Sequence, residues 1–362
     1  MSAEGMSTGM TVDVRTVENL VAHRQIEALL TRRGRAADAK DPDAILAEHV
    51  RGSTDEHGIF GGTIEQFVDY LRANNYRDSR YGPQRHTVSN VLIDFESPER
   101  ARVESYHLAY HRLVLGSGEY DVDIGGRYLD VCELRDGCWL LRSRTVVYDW
   151  SRSSLASNSR PPQVFSGGPM TIDETAREVS SPDIGSLVEE LVAKQQITEL
   201  LYRRARAGDR RDIALALSCY HPGATENHEG FAGTAAEFIA EVSMISPRST
   251  APVIGLWHFI SNVLIDLHGD AADVESYHIA VVVREENGVR TQSRIGGRYL
   301  DRMRRRDGRW GITHRDVVFD WSRVDDAGSP YWELVGLDET KLLRGKFGAD
   351  DPLYSQLKVT RG

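Results

Sequence analysis

Two histidines begin nearly identical segments of this sequence, HTVSNVLID at 86–94 and HFISNVLID at 258–266. Histidine is the side chain whose ordinary pKa lets it take up and return a proton near neutral pH. His86 and His258 are therefore candidate general bases. The alternative is a pair of core histidines whose rings are satisfied by backbone carbonyl groups.

Each copy also places two arginines on an otherwise apolar face. The first continues a helical stripe of isoleucine and leucine, and the second alternates with large apolar residues in the last strand. A buried guanidinium is costly unless something pairs with it, and in the first copy we expect Asp38 and His86 to be the partners that neutralise these cations. A purely structural ion-pair network is the alternative. The arginines are Arg33 and Arg144 in the first copy and Arg204 and Arg315 in the second.

The repetition extends over most of the chain. ESYH occurs at 104–107 and 275–278, and IGGRYLD occurs at 124–130 and 295–301. Solenoid repeats have periods of roughly 20–50 residues, so a repeat this long indicates a duplicated domain. The sequence predicts a flexible N-terminus (1–14), a first domain (15–155), a linker (156–183), a second domain (184–326) and a C-terminal tail (327–362).

The elements that must position these residues follow the same order in both copies. Helices come first: Asp41 and Pro42 are suited to begin one, and capping-box patterns at 63–66 and 234–237 begin another. Long segments rich in β-branched and aromatic residues follow, with RDG turns at 135–137 and 306–308. This pattern predicts an α+β fold in which helices cover one face of a curved antiparallel sheet.

Composition narrows the classes of function. The net charge of −10 argues against nucleic-acid binding, which needs a clustered cationic surface. The three cysteines form no CxxC pattern, the N-terminus does not resemble a signal peptide, and no stretch approaches the ~20 apolar residues of a membrane span. We therefore expect a cytoplasmic protein that acts on a small molecule and binds neither nucleic acid nor membrane. His221, Glu226 and His228 lie close in sequence, but the first copy lacks the cluster, so we expect no metal site.

These features resemble the SnoaL-like branch of the NTF2-like superfamily. The strongest matches are the H-x-x-x-N segments, the RDG-x-W hairpins and the closing VVYDWSR and VVFDWSR. The resemblance implies two tandem cone-shaped folds, each a curved antiparallel sheet packed with about three helices. The group includes cofactor-free dehydratases, dehydrochlorinases, isomerases and polyketide cyclases, so it implies no cofactor. The most similar pattern is that of scytalone dehydratase and the hexachlorocyclohexane dehydrochlorinases.

The same resemblance implies roles for individual residues. Asp38 with His86, and Asp209 with His258, match the positions of a catalytic His–Asp dyad. The four arginines match anion-stabilising cations, although the first is a lysine in that family, and Tyr202 matches a substrate-binding tyrosine. Further candidates for substrate contact, with strand pairing or core packing as the alternative, are Asn90, Asn262, His107 and His278.

Together these observations predict a cofactor-independent lyase of the dehydratase or dehydrohalogenase type. In each domain a histidine would remove a carbon-bound proton from a small apolar cyclic or aromatic substrate, and an aspartate would orient the histidine. An isomerase or cyclase that uses the same dyad is an alternative, as is a non-catalytic binding module. We also expect the two domains to pack as an intrachain pseudo-dimer that replaces an isologous dimer, and further homo-oligomerisation stays open.

Overall fold

The computed structural model describes residues 14–58, 60–74, 81–156, 184–228, 231–243, 252–336 and 338–357. The expected N-terminal segment and linker lie almost entirely outside these residues. The first domain, here unit 1, comprises α1 (Val14–Asp38), α2 (Pro42–Ala47), β1 (His49–Glu56), β2 (Gly61–Thr63), α3 (Ile64–Ala73), β3 (Tyr81–Ser97), β4 (Arg100–Leu115), β5 (Gly118–Arg135) and β6 (Cys138–Leu155).

The second domain, unit 2, repeats this order. It comprises α4 (Ile184–Arg210), α5 (Ile213–Ser218), β7 (Tyr220–His228), β8 (Phe231–Thr234), α6 (Ala235–Glu237) with a following π-helical segment (Phe238–Ser243), β9 (Val253–His268), β10 (Ala271–Glu286), β11 (Val289–Arg306) and β12 (Arg309–Asp326). The C-terminal segment adds α7 (Tyr331–Val335) and α8 (Pro352–Gln356).

Each unit contains one six-stranded sheet, in the order β2-β1-β6-β5-β4-β3 and β8-β7-β12-β11-β10-β9. The four long strands of each unit form the expected antiparallel meander, and the predicted tandem α+β architecture is confirmed. Two short strands, β1 and β7, are not predicted by the sequence pattern, and they pair in parallel with β6 and β12. These short strands extend the sheet beside the helices and bring additional polar side chains to the interior.

Local sequence explains how the helices begin and how they pack. The Asp41 carboxylate accepts hydrogen bonds from the first backbone N–H groups of α2, and both predicted capping boxes are formed. Ile26, Leu29 and Leu30 are at most 1% exposed, because their stripe on α1 lies against the sheet. Complete burial of such a side chain contributes roughly 2 kcal/mol to the stability of the fold.

The repeated glycine pair in IGGRYLD lies at a bulge where β5 meets β6. A Cβ atom on Gly125 would lie 2.1 Å from the Trp150 ring, and one on Gly126 would lie 2.1 Å from the carbonyl oxygen of Val147. The strand register shifts between these two glycines, and the equivalent shift occurs between Gly296 and Gly297 in unit 2. Glycine is required here because another group approaches the backbone closely.

The C-terminal segment was expected to form an extended tail, but it folds back onto unit 1. Tyr331 and Trp332 of α7 are buried in a cluster with Tyr148 of β6. Further along, Asp351 accepts two hydrogen bonds from Arg127, at 2.7 and 2.8 Å, and both side chains are essentially buried. The aromatic pair at 331–332 and a buried ion pair therefore hold this segment against unit 1.

The two units pack together, but not in the isologous manner expected. Tyr106 and Trp150 of unit 1 are buried against Trp257 and Phe259 of unit 2. An isologous contact would bury the equivalents of both surfaces, yet Tyr277, the counterpart of Tyr106, is 44% exposed. Because different surfaces of the two units meet, the contact is heterologous.

Candidate functional site

A cavity of about 420 Å³ opens inside unit 1 between its helices and the concave face of its sheet. Its wall combines apolar residues from α2, α3 and the sheet with polar residues from six elements and the C-terminal segment. A concave, largely apolar chamber with a few convergent polar groups is the usual form of a small-molecule site. The polar and aromatic residues that line it include Arg33, His57, Tyr70, Gln84, His86, His107, His111, Tyr128, Arg144, Tyr148 and Tyr331.

The last residue of α1 and the first half of β3 bring Asp38 and His86 together. The Asp38 Oδ1 atom lies 2.8 Å from His86 Nδ1, and the two side chains are 15% and 14% exposed. With Nδ1 held by the carboxylate, Nε2 is the ring nitrogen left to meet a ligand in the cavity. A carboxylate at Nδ1 fixes the tautomer of the ring and stabilises the imidazolium that forms when Nε2 takes up a proton.

Unit 2 contains the equivalent pair. The Asp209 Oδ1 atom lies 2.6 Å from His258 Nδ1, and the backbone N–H of His258 donates to Oδ2 at 3.1 Å. Tyr106 of unit 1 reaches across the domain contact and donates its hydroxyl to the same Oδ2 at 2.8 Å. The Asp209 side chain is fully buried and held by groups from both units, whereas Asp38 is held within unit 1.

The arginines of the last strands have partners other than the dyads. Arg144 donates to both carboxylate oxygens of Asp130, at 2.9 and 2.7 Å, and lies 3.9 Å over the Tyr128 ring. Arg315 forms the same bidentate pair with Asp301. The expectation that Asp38 and His86 would neutralise these cations was therefore wrong. Asp130 lies directly opposite Arg144 in the β5–β6 register, so cross-strand pairing decides the partner.

The helical arginines contact the short first strand of each sheet. Arg33 donates from Nε to His49 Nε2 at 3.2 Å, and its Nη2 lies 3.8 Å from Asp55 Oδ2. Burial and the charge of Arg33 lower the pKa of His49 well below its usual value, so His49 is a neutral acceptor. Arg204 instead donates to the Tyr220 hydroxyl at 3.0 Å, which donates to Glu226 at 2.7 Å.

His107 and His278 occupy equivalent positions in the middle strands. Each ring stacks on a tyrosine, His107 on Tyr128 at 4.4 Å and His278 on Tyr299 at 4.2 Å between centroids. Neither ring nitrogen of His107 has a hydrogen-bond partner within the described ranges. Burial lowers the pKa of His107 well below its usual value and that of His278 to about 3. Both rings are therefore neutral at physiological pH, and His107 lies on the cavity wall.

Two of the residues expected to contact substrate, Asn90 and Tyr202, lie at the contact between the two units. The Asn90 amide bridges the domain contact, donating to the carbonyl of His258 and accepting from the N–H of Ile260, each at 2.9 Å. Tyr202 packs against Ile260, and a hydrogen bond with Ser89 of unit 1 accompanies this contact. The Asn90 side chain therefore hydrogen-bonds unit 1 to unit 2. Its counterpart Asn262 is exposed.

The family follows from sequence comparison. A model of the SnoaL-like domain matches residues 18–145 and again residues 189–316, which together form more than half of the chain. The chain belongs to the SnoaL-like family. No curated protein matches it at a significant level.

Several solved structures are similar to single units of this chain. One is a putative scytalone dehydratase from Novosphingobium aromaticivorans, with 25% identity and a TM-score of 0.35 over 41% of this chain and 97% of that chain. Another is a hexachlorocyclohexane dehydrochlorinase from Novosphingobium barchaimii, with 17% identity and a TM-score of 0.36 over 40% of this chain and 99% of that chain. A third, from Kribbella flavida, has 19% identity and a TM-score of 0.33 over 36% of this chain and 93% of that chain.

Two broader features of the described residues bear on the site. They contain no group of three or more histidine, cysteine, aspartate or glutamate side chains arranged to hold a metal ion. The helices in these ranges include none that is long and apolar enough to cross a membrane.

Sequence reasoning missed His57 and Asp55, which form a second imidazole–carboxylate pair at the unit 1 cavity. A signal for them was present, because an acidic residue two positions before a histidine recurs in unit 2 as Glu226 and His228. From the sequence alone, the unit 2 residues suggest only a metal cluster. Tyr331 of the C-terminal segment was also missed, since only the folded chain brings it to the cavity.

Proposed function

We propose that the protein is a cofactor-independent lyase whose unit 1 cavity binds a small, largely apolar cyclic molecule. The observation that carries the proposal is the 2.8 Å contact of Asp38 with His86, whose ring lines a cavity of about 420 Å³. A cavity of this size suits a compound of one or two rings. The aromatic and aliphatic lining favours an apolar skeleton, and the polar groups fix its orientation.

In this proposal His86 Nε2 removes a proton from a carbon atom of the substrate. Asp38 keeps the proton of the resting ring on Nδ1 and stabilises the imidazolium that results. The negative charge that develops on the substrate lies near Arg33 and Arg144, which line the same cavity. Fixed cationic donors stabilise a developing anion because they need no reorientation during the reaction. The Asp130 carboxylate lessens the contribution of Arg144 but holds its guanidinium in one orientation.

We propose that unit 2 carries a second site based on His258 and Asp209. Its support is the same dyad geometry, at 2.6 Å, with Arg315 and His278 in equivalent positions. The rest of its polar surroundings differs, since Tyr220 and Val282 replace His49 and His111 of unit 1. We therefore expect the two sites to differ in substrate preference.

Proton removal can be tested before the natural substrate is identified. The full chain is incubated in D₂O with cyclohexanone or 2-tetralone, and incorporation of deuterium beside the carbonyl is followed by NMR. His86→Gln and His258→Gln should each lower the exchange rate, and the double variant should lower it by about 10²-fold or more, the usual contribution of a general base. His268→Gln is the matched control, because His268 is largely exposed on unit 2.

Exchange in the double variant at the wild-type rate would refute the proposed base. Exchange that depends on the dyads without any elimination product would favour the isomerase or cyclase alternative. Absence of exchange together with tight binding of the ketone would favour the non-catalytic binding module.

A further inference from the structure

The unit 1 cavity contains a second imidazole–carboxylate pair that the proposed base does not use. Asp55, at the end of β1, is completely buried, and its Oδ1 contacts Nδ1 of His57. The His57 ring stacks on Phe67 with 4.8 Å between centroids, and it lines the cavity. Because Nδ1 is held by Asp55, Nε2 is the nitrogen that His57 can offer to a ligand.

The charges around Asp55 favour the ionised form of its carboxylate. Burial alone would raise the pKa of Asp55, but the charge of His57 and its hydrogen bond outweigh burial and, with Arg33, lower that pKa to about 2. A buried ion pair contributes little to the stability of a fold, because the cost of desolvation offsets much of the attraction. A buried ion pair at the wall of a cavity is instead typical of a functional site.

The two pairs reach the same cavity from different parts of the sheet. His86 is on β3, at one edge, whereas His57 directly follows β1, which lies on the far side of β4, β5 and β6. Both side chains line the cavity, as does His107. The pKa of His107 is lowered first by burial and then by nearby charges, which include those of His86 and His57. A ligand in the cavity can therefore contact two imidazole rings, that of His86 and that of His57.

We propose that His57 is a second catalytic residue, a general acid that protonates a departing oxygen, so that unit 1 acts on cyclic β-hydroxy carbonyl compounds and releases water. This inference rests on the proposed role of His86 as the base. His86 Nε2 takes the proton from the α-carbon, and the electron pair of that C–H bond forms the C=C bond. The C–O bond at the β-carbon breaks, and the oxygen takes the proton of His57 Nε2 and leaves as water.

The step is balanced without a further reactant. The substrate loses one molecule of water and becomes the unsaturated carbonyl compound. His86 ends protonated and His57 ends neutral, and exchange with solvent returns both to their starting forms. A departing halide needs no proton, so the acid is useful only for an oxygen leaving group.

Unit 2 lacks this arrangement and supplies an internal comparison. Glu226 stands at the position of Asp55, but its Oε2 accepts a hydrogen bond from Tyr220 at 2.7 Å. His228 stands at the position of His57, and its ring lies against Phe238 with 4.5 Å between centroids. Tyr220, which accepts a hydrogen bond from Arg204, stands where unit 1 has His49, so the carboxylate of unit 2 has a different donor. The proposed general acid, His57, therefore belongs to unit 1.

The test compares two substrates that differ only in the need for an acid. The full chain with His258→Gln, which confines turnover to unit 1, is given 3-hydroxycyclohexanone or 3-chlorocyclohexanone, and formation of cyclohexenone is followed by absorbance. His57→Gln keeps an N–H donor for Asp55 but cannot act as an acid at neutral pH. It should lower kcat/KM for the hydroxy ketone by about 10²-fold and that for the chloro ketone by less than about threefold.

The pH profile separates a catalytic role from a structural one. With the hydroxy ketone, the activity should fall at high pH, where the acid is deprotonated, and His57→Gln should abolish this alkaline decline. His228→Gln is the matched control and should leave both rates and the profile unchanged. Equal losses for both substrates in His57→Gln, or no loss for either, would overturn the general acid. If His86→Gln leaves both substrates unaffected, the proposed base fails, which is a distinct result.

Discussion

The aspartate of the unit 2 dyad accepts a hydrogen bond from a hydroxyl group of unit 1, and we expect removal of that hydroxyl to weaken both the fold and the dyad. Tyr106 donates to Asp209 Oδ2 at 2.8 Å, and the tyrosine is 1% exposed. In Tyr106→Phe the buried carboxylate keeps its two contacts with His258 but loses the third. A hydrogen bond to a charged group contributes about 1.5–3 kcal/mol, so we expect the free energy of unfolding to fall by roughly 2 kcal/mol.

The assay is thermal unfolding followed by circular dichroism, together with deuterium exchange into cyclohexanone in the His86→Gln background. For domains of this size about 1 kcal/mol corresponds to 2–4 °C, so the transition should fall by about 4–8 °C. Exchange should also slow, because a carboxylate with fewer donors is held less firmly against the imidazole. Exchange by unit 1, measured in the His258→Gln background, should be unchanged, since Asp38 is held within unit 1.

Tyr277→Phe is the matched control, because Tyr277 is the unit 2 counterpart of Tyr106 and is 44% exposed. Exposed substitutions of this kind usually change stability by less than about 0.5 kcal/mol. If Tyr106→Phe and Tyr277→Phe have the same transition temperature and the same exchange rate, the hydrogen bond across the domain contact contributes nothing and the reasoning is wrong.

Two further predictions concern the bulge and the C-terminal segment. Gly125→Ala should destabilise the protein by about 1–3 kcal/mol, because its new methyl group meets the buried Trp150 ring. Gly296→Ala should have less effect, since the Trp321 ring that it meets is 49% exposed and can move. Urea unfolding of both variants tests this difference. Asp351→Asn should lower the free energy of unfolding by about 2 kcal/mol at pH 7. Burial raises the pKa of Asp351, but the charges of its arginine partners outweigh burial and lower that pKa to about 2. Because that pKa lies below the ordinary value of 3.8, the advantage of the wild type over Asp351→Asn is complete above about pH 4 and should disappear as the pH falls through 2, which unfolding at pH 7 and pH 2 measures.

The sequence was sufficient for the features that depend on local pattern. The helix starts at Asp41 and Thr63 follow from capping chemistry, and the hairpin at Asp136 and Gly137 follows from the positive φ angles that these residues adopt, 50° and 78°. The duplication fixed the correspondence of the two units. The stripe at Ile26 correctly identified the buried face of α1.

Features that depend on contacts between distant segments could not be predicted in this way. Asp130 and Arg144 are fourteen residues apart and meet only because of the register across the hairpin, which includes a shift of one residue. The role of Asn90 depends on where unit 2 packs. Tyr331 reaches the cavity only because its segment returns to unit 1. Periodicity carries no information about such long-range choices.

The heterologous contact explains why the two copies differ at the residues on either side of the dyad histidine. Trp257 and Phe259 of unit 2 pack against unit 1, whereas the corresponding residues of unit 1, Arg85 and Thr87, are exposed. In an isologous contact both copies would need the apolar side chains; here only unit 2 does, so unit 1 can have polar ones. The aspartate of the unit 2 dyad lies beside this contact, which is why its environment includes a hydroxyl from the neighbouring unit. Changes at the domain contact should therefore alter the second dyad while leaving Asp38 and His86 unaffected.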